Sequence, residues 1–127
     1  MKHILLVDDD TSVLSILVSA LSDFHLTVAR DPDEALAAAA RVDALDLVIT
    51  DYLMPSITGA ELIARIREQR PQLKALIVTG HSAILDNEAP DWWIREPHLA
   101  KPFRVQALRD MVTALIGAAS DVPAVSD

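Results

Sequence analysis

Apolar residues in this chain fall into short runs separated by stretches of helical spacing. The run His3-Ile4-Leu5-Leu6-Val7 is short and almost wholly apolar, as a strand covered on both faces requires. Residues 12–22 instead place Val13, Leu14, Leu17, Val18 and Leu21 at a helical period. Leu26-Thr27-Val28-Ala29 reads as a second strand. Asp31-Pro32-Asp33-Glu34 then opens a helix that runs to Arg41. Asp31 is its N-cap, Pro32 takes the first helical position and Glu34 closes a capping box. Leu45 to Thr50 is a third strand, ending at Asp51. Thr58-Gly59-Ala60-Glu61 is another capping box, followed by Leu62, Ile63 and Ile66, and Pro71 ends that helix. Ala75 to Thr79 is a fourth strand and His98-Leu99-Ala100 a short fifth. Arg104 to Ile116 is a last amphipathic helix, with Val105, Leu108, Met111, Val112, Leu115 and Ile116 on one face.

Strands alternating with helices predict a parallel sheet with helices on both faces. One stretch breaks the pattern. Pro90 and Pro97 interrupt residues 82–97, and Asp86-Asn87-Glu88 favours a turn. A fourth helix that is short or irregular is expected there. Residues 1–117 read as one domain, and the small, polar, proline-containing residues 118–127 as a flexible C-terminal tail.

Composition narrows the function classes. With 127 residues, 51% of them hydrophobic, the chain can build a core and is not disordered. No apolar stretch approaches the ~18 residues of a membrane span, and the opening apolar run is too short for a signal peptide. There are no cysteines, which removes disulfides, thiolate catalysis and Cys-based zinc sites. A net charge of −8 disfavours direct binding to nucleic acid and suits a site that gathers cations or meets basic partners.

In an open parallel sheet, ligands bind beyond the carboxyl ends of the strands. The predicted strands end in Asp8-Asp9-Asp10, in Asp51, in Thr79-Gly80 and beside Lys101-Pro102. Crowded carboxylates need a cation, and an oxygen-only set without His or Cys suits Mg²⁺ better than zinc. A lysine and a hydroxyl beside it can hold phosphate oxygens, and an Asp carboxylate can attack phosphorus to give an aspartyl phosphate.

The segments Val7-Asp8-Asp9, Asp46 to Pro55 (DLVITDYLMP), Ile77-Val78-Thr79-Gly80 and Lys101-Pro102-Phe103 together closely resemble the receiver domain of two-component response regulators. The resemblance spans roughly residues 2–117. It implies a flavodoxin-like, doubly wound, five-stranded sheet of order 2-1-3-4-5. It implies Asp51 as phosphoacceptor, with a histidine kinase or histidine phosphotransfer protein as phosphohistidine donor. Mg²⁺ would be held by Asp9, Asp51 and the backbone carbonyl of Leu53, with Asp8 acting through a metal-bound water. Thr79 and Lys101 would bind phosphoryl oxygens, and Pro102 would follow a cis peptide bond. The family couples movement of the hydroxyl residue to an aromatic residue shortly before the lysine. Here that position holds His98, which can swing as an aromatic does and can also carry charge. Leu53 and His81 occupy the two positions that tune phosphoryl lifetime in the family. The region of the family's fourth helix departs most from its pattern.

Structural roles compete with functional ones at several of these residues. Asp10 is better explained as a helix N-cap than as a metal ligand. Trp92-Trp93 could form an exposed partner surface, but rings filling the space of a missing regular helix are the commoner reading. His3 and His25 carry no argument.

The expected protein is a cytoplasmic, stand-alone receiver that catalyses only its own phosphorylation and dephosphorylation. It would signal to an unidentified protein target through a surface built by residues 81–103, within a two-component phosphorelay. A receiver cut from a longer regulator would read the same, and a homodimer is left open. A phosphorylation-independent binding module of the same fold, using the Trp surface, is the first alternative. A Mg²⁺-dependent phosphatase with an Asp nucleophile is the second. It would use Asp8-x-Asp10, but such enzymes need a cap and a longer chain.

Overall fold

The computed structural model describes residues 1–119 of the chain. From residue 120 onward, the expected C-terminal tail lies outside the described residues. Five strands, β1 (His3–Val7), β2 (His25–Ala29), β3 (Leu47–Thr50), β4 (Lys74–Thr79) and β5 (His98–Ala100), pair in parallel in the order β2-β1-β3-β4-β5. Six helices connect and follow them: α1 (Thr11–Ala20), α2 (Pro32–Arg41), α3 (Gly59–Gln69), α4 (Ser82–Glu88), α5 (Asp91–Arg95) and α6 (Val105–Ile116). None of the described helices is long and apolar enough to cross a membrane.

The two-sided burial expected of the apolar runs is visible residue by residue. Along β1, Ile4 and Leu6 enter the core beneath α1 and α6, while Leu5 and Val7 enter the core beneath α2 and α3. Successive strand residues point to opposite faces, so one apolar run serves both layers. Fully burying each such side chain contributes about 1.5–3 kcal/mol. Three buried alanines, Ala35, Ala38 and Ala39, form the inner face of α2. Beyond its end, the Arg70 guanidinium donates to the carbonyls of Ala39, Val42 and Asp43, satisfying acceptors the helix leaves open.

The capping signals work as the residues dictate. Asp31 accepts from the Glu34 amide at 2.8 Å, and the Glu34 carboxylate reaches back to the Arg30 amide at 3.0 Å. Thr58 accepts from the Glu61 amide at 3.2 Å. Asp10 caps α1 through the Ser12 and Val13 amides. β2 and β4 each begin one residue earlier than the sequence reading, at His25 and Lys74, and two further edges differ. Leu45 and Asp46 precede β3 rather than belonging to it, because Asp46 turns its carboxylate onto the His3 amide at 2.8 Å. α1 closes at Ala20, with Leu21 as its C-cap.

The irregular region resolves into two short helices. Ala89 is the C-cap of α4 and lies in the left-handed region at φ 44°, and Pro90 is the N-cap of α5. An L side chain in that conformation costs about 1–2 kcal/mol, part of which glycine would give back through its own chain entropy. Ala89→Gly should therefore stabilise the protein by roughly 0.5–1 kcal/mol, read as a higher urea midpoint with an unchanged slope.

At the opposite end of the sheet, His3 stacks on His25 with ring centroids 3.9 Å apart, and its Nε2 pairs with the Thr27 hydroxyl at 2.7 Å. Burial first, then His25 and Arg70, push the His3 imidazole below its ordinary 6.5, against an opposing pull from Asp46. The unfolded chain therefore binds the proton more readily than the fold does. Stability is whole above about 6.5 and is lost as pH falls toward the folded value. Urea midpoints should drop between about pH 7.5 and about pH 5.5, and His3→Gln should remove that part of the drop.

Candidate functional site

The carboxyl ends of β1 and β3 finish level, and β4 and β5 run two residues further. Val7 lies opposite Thr50, Thr50 opposite Ile77, and Thr79 opposite Ala100. The next residue of β1, β3 and β5 is therefore Asp8, Asp51 and Lys101, delivered to one rim. Backbone hydrogen bonds hold them there: Asp8 N–H to Ala29 O, Asp51 N–H to Val7 O and Lys101 N–H to Thr79 O.

Asp8 is 1% exposed. Its Oδ2 accepts from Lys101 Nζ at 2.8 Å and its Oδ1 from the Asp10 amide at 2.9 Å. Lys101 Nζ also lies 3.4 Å from Asp51 Oδ2, so one ammonium bridges two carboxylates. Burial pushes the Asp8 carboxyl upward, more than the bonds from Lys101 and Asp10 pull it down. For Lys101, burial acts downward, but the hydrogen bond to Asp8 and the nearby charges of Asp51 and Asp8 outweigh it, and the ammonium is held more tightly than usual.

Asp51 is half-buried at the end of β3, and its Oδ1 accepts from the Tyr52 amide at 2.7 Å. Its backbone is fixed as well. The Thr50 hydroxyl donates to Asp51 O at 2.9 Å, and Gly59 N–H donates to Tyr52 O at 2.7 Å. Asp9 is exposed beside them. Asp8, Asp9 and Asp51 each offer a carboxylate oxygen within 4.8 Å of the others, among the described residues. Three carboxylates with no nitrogen or sulfur donor fit Mg²⁺, which takes hard oxygen ligands and keeps water in its remaining positions.

The other expected residues sit around this rim. Thr79 is buried at the end of β4, and its hydroxyl accepts from the His81 amide at 3.1 Å. His81 is exposed and precedes α4. Leu53 is 48% exposed in the loop after Asp51. The Lys101–Pro102 peptide bond is cis. Beside Lys101 lies a hollow of about 320 Å³ lined by Val13, Ile16, Pro102 and Phe103.

His98 does not stand alone on β5. Its ring stacks on Trp93 with centroids 3.4 Å apart, and its Nδ1 pairs with Glu96 O at 3.1 Å. Trp93 is 2% exposed and part of the core beneath α3, so its ring fills space as the commoner reading had it and does not form a partner surface. The short α5 drives the ring inward, where Nε1–H donates to Asp86 at 2.8 Å. Trp92 is half-buried and stacks on Tyr52 at 4.8 Å.

Sequence reasoning missed two contributors. Gly59 was legible only as part of a capping box, yet a Cβ there would meet Asp51 O at 2.1 Å. The cue was a residue of poor helix propensity placed just inside a helix start. Trp92 stood out in the sequence, but its contact with Tyr52 gave no cue, because it joins segments far apart in the chain.

A family model described as the response regulator receiver domain matches residues 4–113. The chain is 35% identical over 119 residues to the response regulator receiver protein CpdR of Brucella abortus, covering 91% of this chain and 94% of that one. Several other curated relatives are transcriptional regulatory proteins of which the chain spans about half the length. Among solved structures, a receiver domain protein from Clostridium thermocellum superposes with a TM-score of 0.81 at 28% identity, covering 91% of this chain and 94% of that one. The response regulator TrrA of Thermotoga maritima, crystallised in complex with Mg²⁺ and BeF, superposes with a TM-score of 0.73 at 29% identity, covering 91% and 99%.

Proposed function

Because the chain belongs to the family of response regulator receiver domains, we propose that it receives a phosphoryl group on Asp51 and passes the signal on through a protein contact. The observation that carries this reading is the bridge of Lys101 Nζ between Asp8 Oδ2 and Asp51 Oδ2, at 2.8 and 3.4 Å, beside a three-carboxylate cluster.

In the proposed step, Oδ2 of Asp51, paired with Lys101 at 3.4 Å before transfer, attacks the phosphorus of a phosphohistidine on a kinase or phosphotransfer protein. The P–N bond breaks and its electron pair stays on the donor imidazole. Attack by a carboxylate oxygen releases no proton, so the step needs no general base. The remaining work is positioning and charge neutralisation. The Tyr52 amide fixes Oδ1 and leaves Oδ2 to face the donor. Asp9 and Asp51, with the carbonyl of Leu53, would hold Mg²⁺, and Asp8 would act through its water. The bound ion would neutralise charge on the incoming phosphoryl oxygens. Lys101 would turn from the carboxylates to a phosphoryl oxygen, and Thr79 would give up its bond from the His81 amide to donate to another. Leu53 and His81 flank the path of a hydrolytic water and would set the lifetime of the acyl phosphate. His98 would take part in the switch through its ring.

The cellular setting belongs to the same proposal: a cytoplasmic two-component relay and an output face built by residues 81–103. The test is intact-protein mass after incubation with acetyl phosphate and Mg²⁺. A single phosphoryl gain is expected for the wild type, and none for Asp51→Asn or without Mg²⁺. Beryllofluoride serves as a second probe, read by Trp fluorescence. Silence of the wild type toward both would overturn the reading and favour a binding module that works without phosphorylation.

A further inference from the structure

We infer that Trp92 is a positioning residue for Asp51, and that the stacked rings of Tyr52, Trp92, Trp93 and His98 link the state of that carboxylate to β5. The inference rests on Asp51 being the phosphoacceptor.

Tyr52 is bound through its N–H, its carbonyl and its ring. Its N–H donates to Asp51 Oδ1 at 2.7 Å, and its carbonyl accepts from Gly59 N–H at 2.7 Å. Its ring lies on Trp92 with centroids 4.8 Å apart and planes 17° from parallel. Trp92 meets Trp93 edge-on at 5.9 Å and 81°. Trp93 lies on His98 at 3.4 Å and 15°. Four rings thus run without a gap from the residue after Asp51 to the edge strand.

The far side of this run is anchored. Trp93 Nε1–H is fixed by Asp86, and the Glu96 carboxylate takes two bonds from the Arg67 guanidinium, at 2.7 and 3.1 Å. α5 is therefore a short, pinned support, and Trp92 is the part of it that touches the loop. Movement of the Tyr52 ring toward Trp92 displaces Trp92, and movement away breaks the stack. A change in which oxygen of Asp51 accepts from the Tyr52 amide must then be felt at the stack. Coupling of this kind is reciprocal, so loss of the stack must be felt at Asp51.

Each stacked pair contributes a factor of a few to tenfold in equilibrium terms. Trp92→Ala should slow phosphorylation of Asp51 by acetyl phosphate about two- to tenfold at saturating Mg²⁺. Trp92→Phe should restore most of the rate. Tyr52→Leu breaks the same contact from the loop side and leaves α5 intact, so it tests the idea even where Trp92→Ala folds poorly. The double variant should be no slower than the slower single one.

A merely structural role would not move the second readout. In the wild type, Mg²⁺ with beryllofluoride should change the emission of the Trp pair, and Tyr52→Leu, which keeps both indoles, should abolish that change. Wild-type phosphorylation rates in both single variants, or effects that simply add, would overturn the inference. A wild type that neither gains mass nor responds to beryllofluoride would instead remove its premise, a result distinct from normal wild-type chemistry with insensitive variants.

Discussion

Lys101→Met should lower the rate of phosphorylation about 10²–10³-fold and, at the same time, raise the affinity for Mg²⁺. The opposite signs follow from one position. Lys101 Nζ lies 2.8 Å from Asp8 and 3.4 Å from Asp51, where it competes with any cation for the same carboxylates. A unit charge about 4 Å away is worth up to about 4 kcal/mol at an effective dielectric of 20. Solvent and salt reduce this, so a tenfold gain in Mg²⁺ affinity is a reasonable expectation. In the proposed phosphoryl transfer the same ammonium would neutralise the incoming charge, and methionine cannot replace that. Asp8 would not remain a bare buried anion, because burial already pushes its carboxyl upward and it would take a proton more readily. Mg²⁺ titration by Trp fluorescence and phosphorylation by mass would read the two effects separately. Weaker Mg²⁺ binding in Lys101→Met would contradict this account.

Gly59→Ala should damage stability and chemistry together. A Cβ at Gly59 would stand 2.1 Å from Asp51 O, 3.1 Å from Asp51 C and 3.2 Å from Thr50 Cγ2. Two of those atoms are backbone at the end of a buried strand, so no side chain can swing aside. The helix start must move or the Asp51 peptide must move. Overpacking of this kind costs about 1–3 kcal/mol, seen as a lower urea midpoint. A shift of about 1 Å at Asp51 would cost phosphorylation on the order of a hundredfold. The Gly59 amide also holds Tyr52 O, so both effects converge on the same loop. A Gly59→Ala protein with wild-type midpoint and rate would show that the loop yields freely.

The parts of the molecule that were legible share a physical cause. β1, β3 and β4 are apolar runs cut off by a polar residue, and that residue is the one delivered to the rim. Asp8, Asp51 and Thr79 could thus be placed together before any contact was known. Asp31, Thr58 and Asp10 announced helix starts because their side chains bond to amides only three or fewer residues away. The segment from Ser82 to Glu96 was opaque for the reverse reason. Its order comes from Trp92 on Tyr52 and Glu96 on Arg67, contacts between distant positions, and from Trp93 on His98 across a break in the helix, and none of these leaves a local period. Two adjacent tryptophans could be read as exposed or buried, and only the turn at Ala89-Pro90 decides that Trp93 goes inward.

That same turn divides what would be one long helix into pieces too short to hold themselves. Isolated helices below about 12–15 residues are marginal in water, and α4 and α5 have seven and five residues. Their amides should therefore exchange with deuterated solvent through a partial opening of 82–96, well before the strands beneath them exchange. Such an opening costs less free energy than global unfolding. A binding partner could refold this stretch around itself while the sheet stays native, and the loss of Trp92 from Tyr52 would then reach the loop after Asp51.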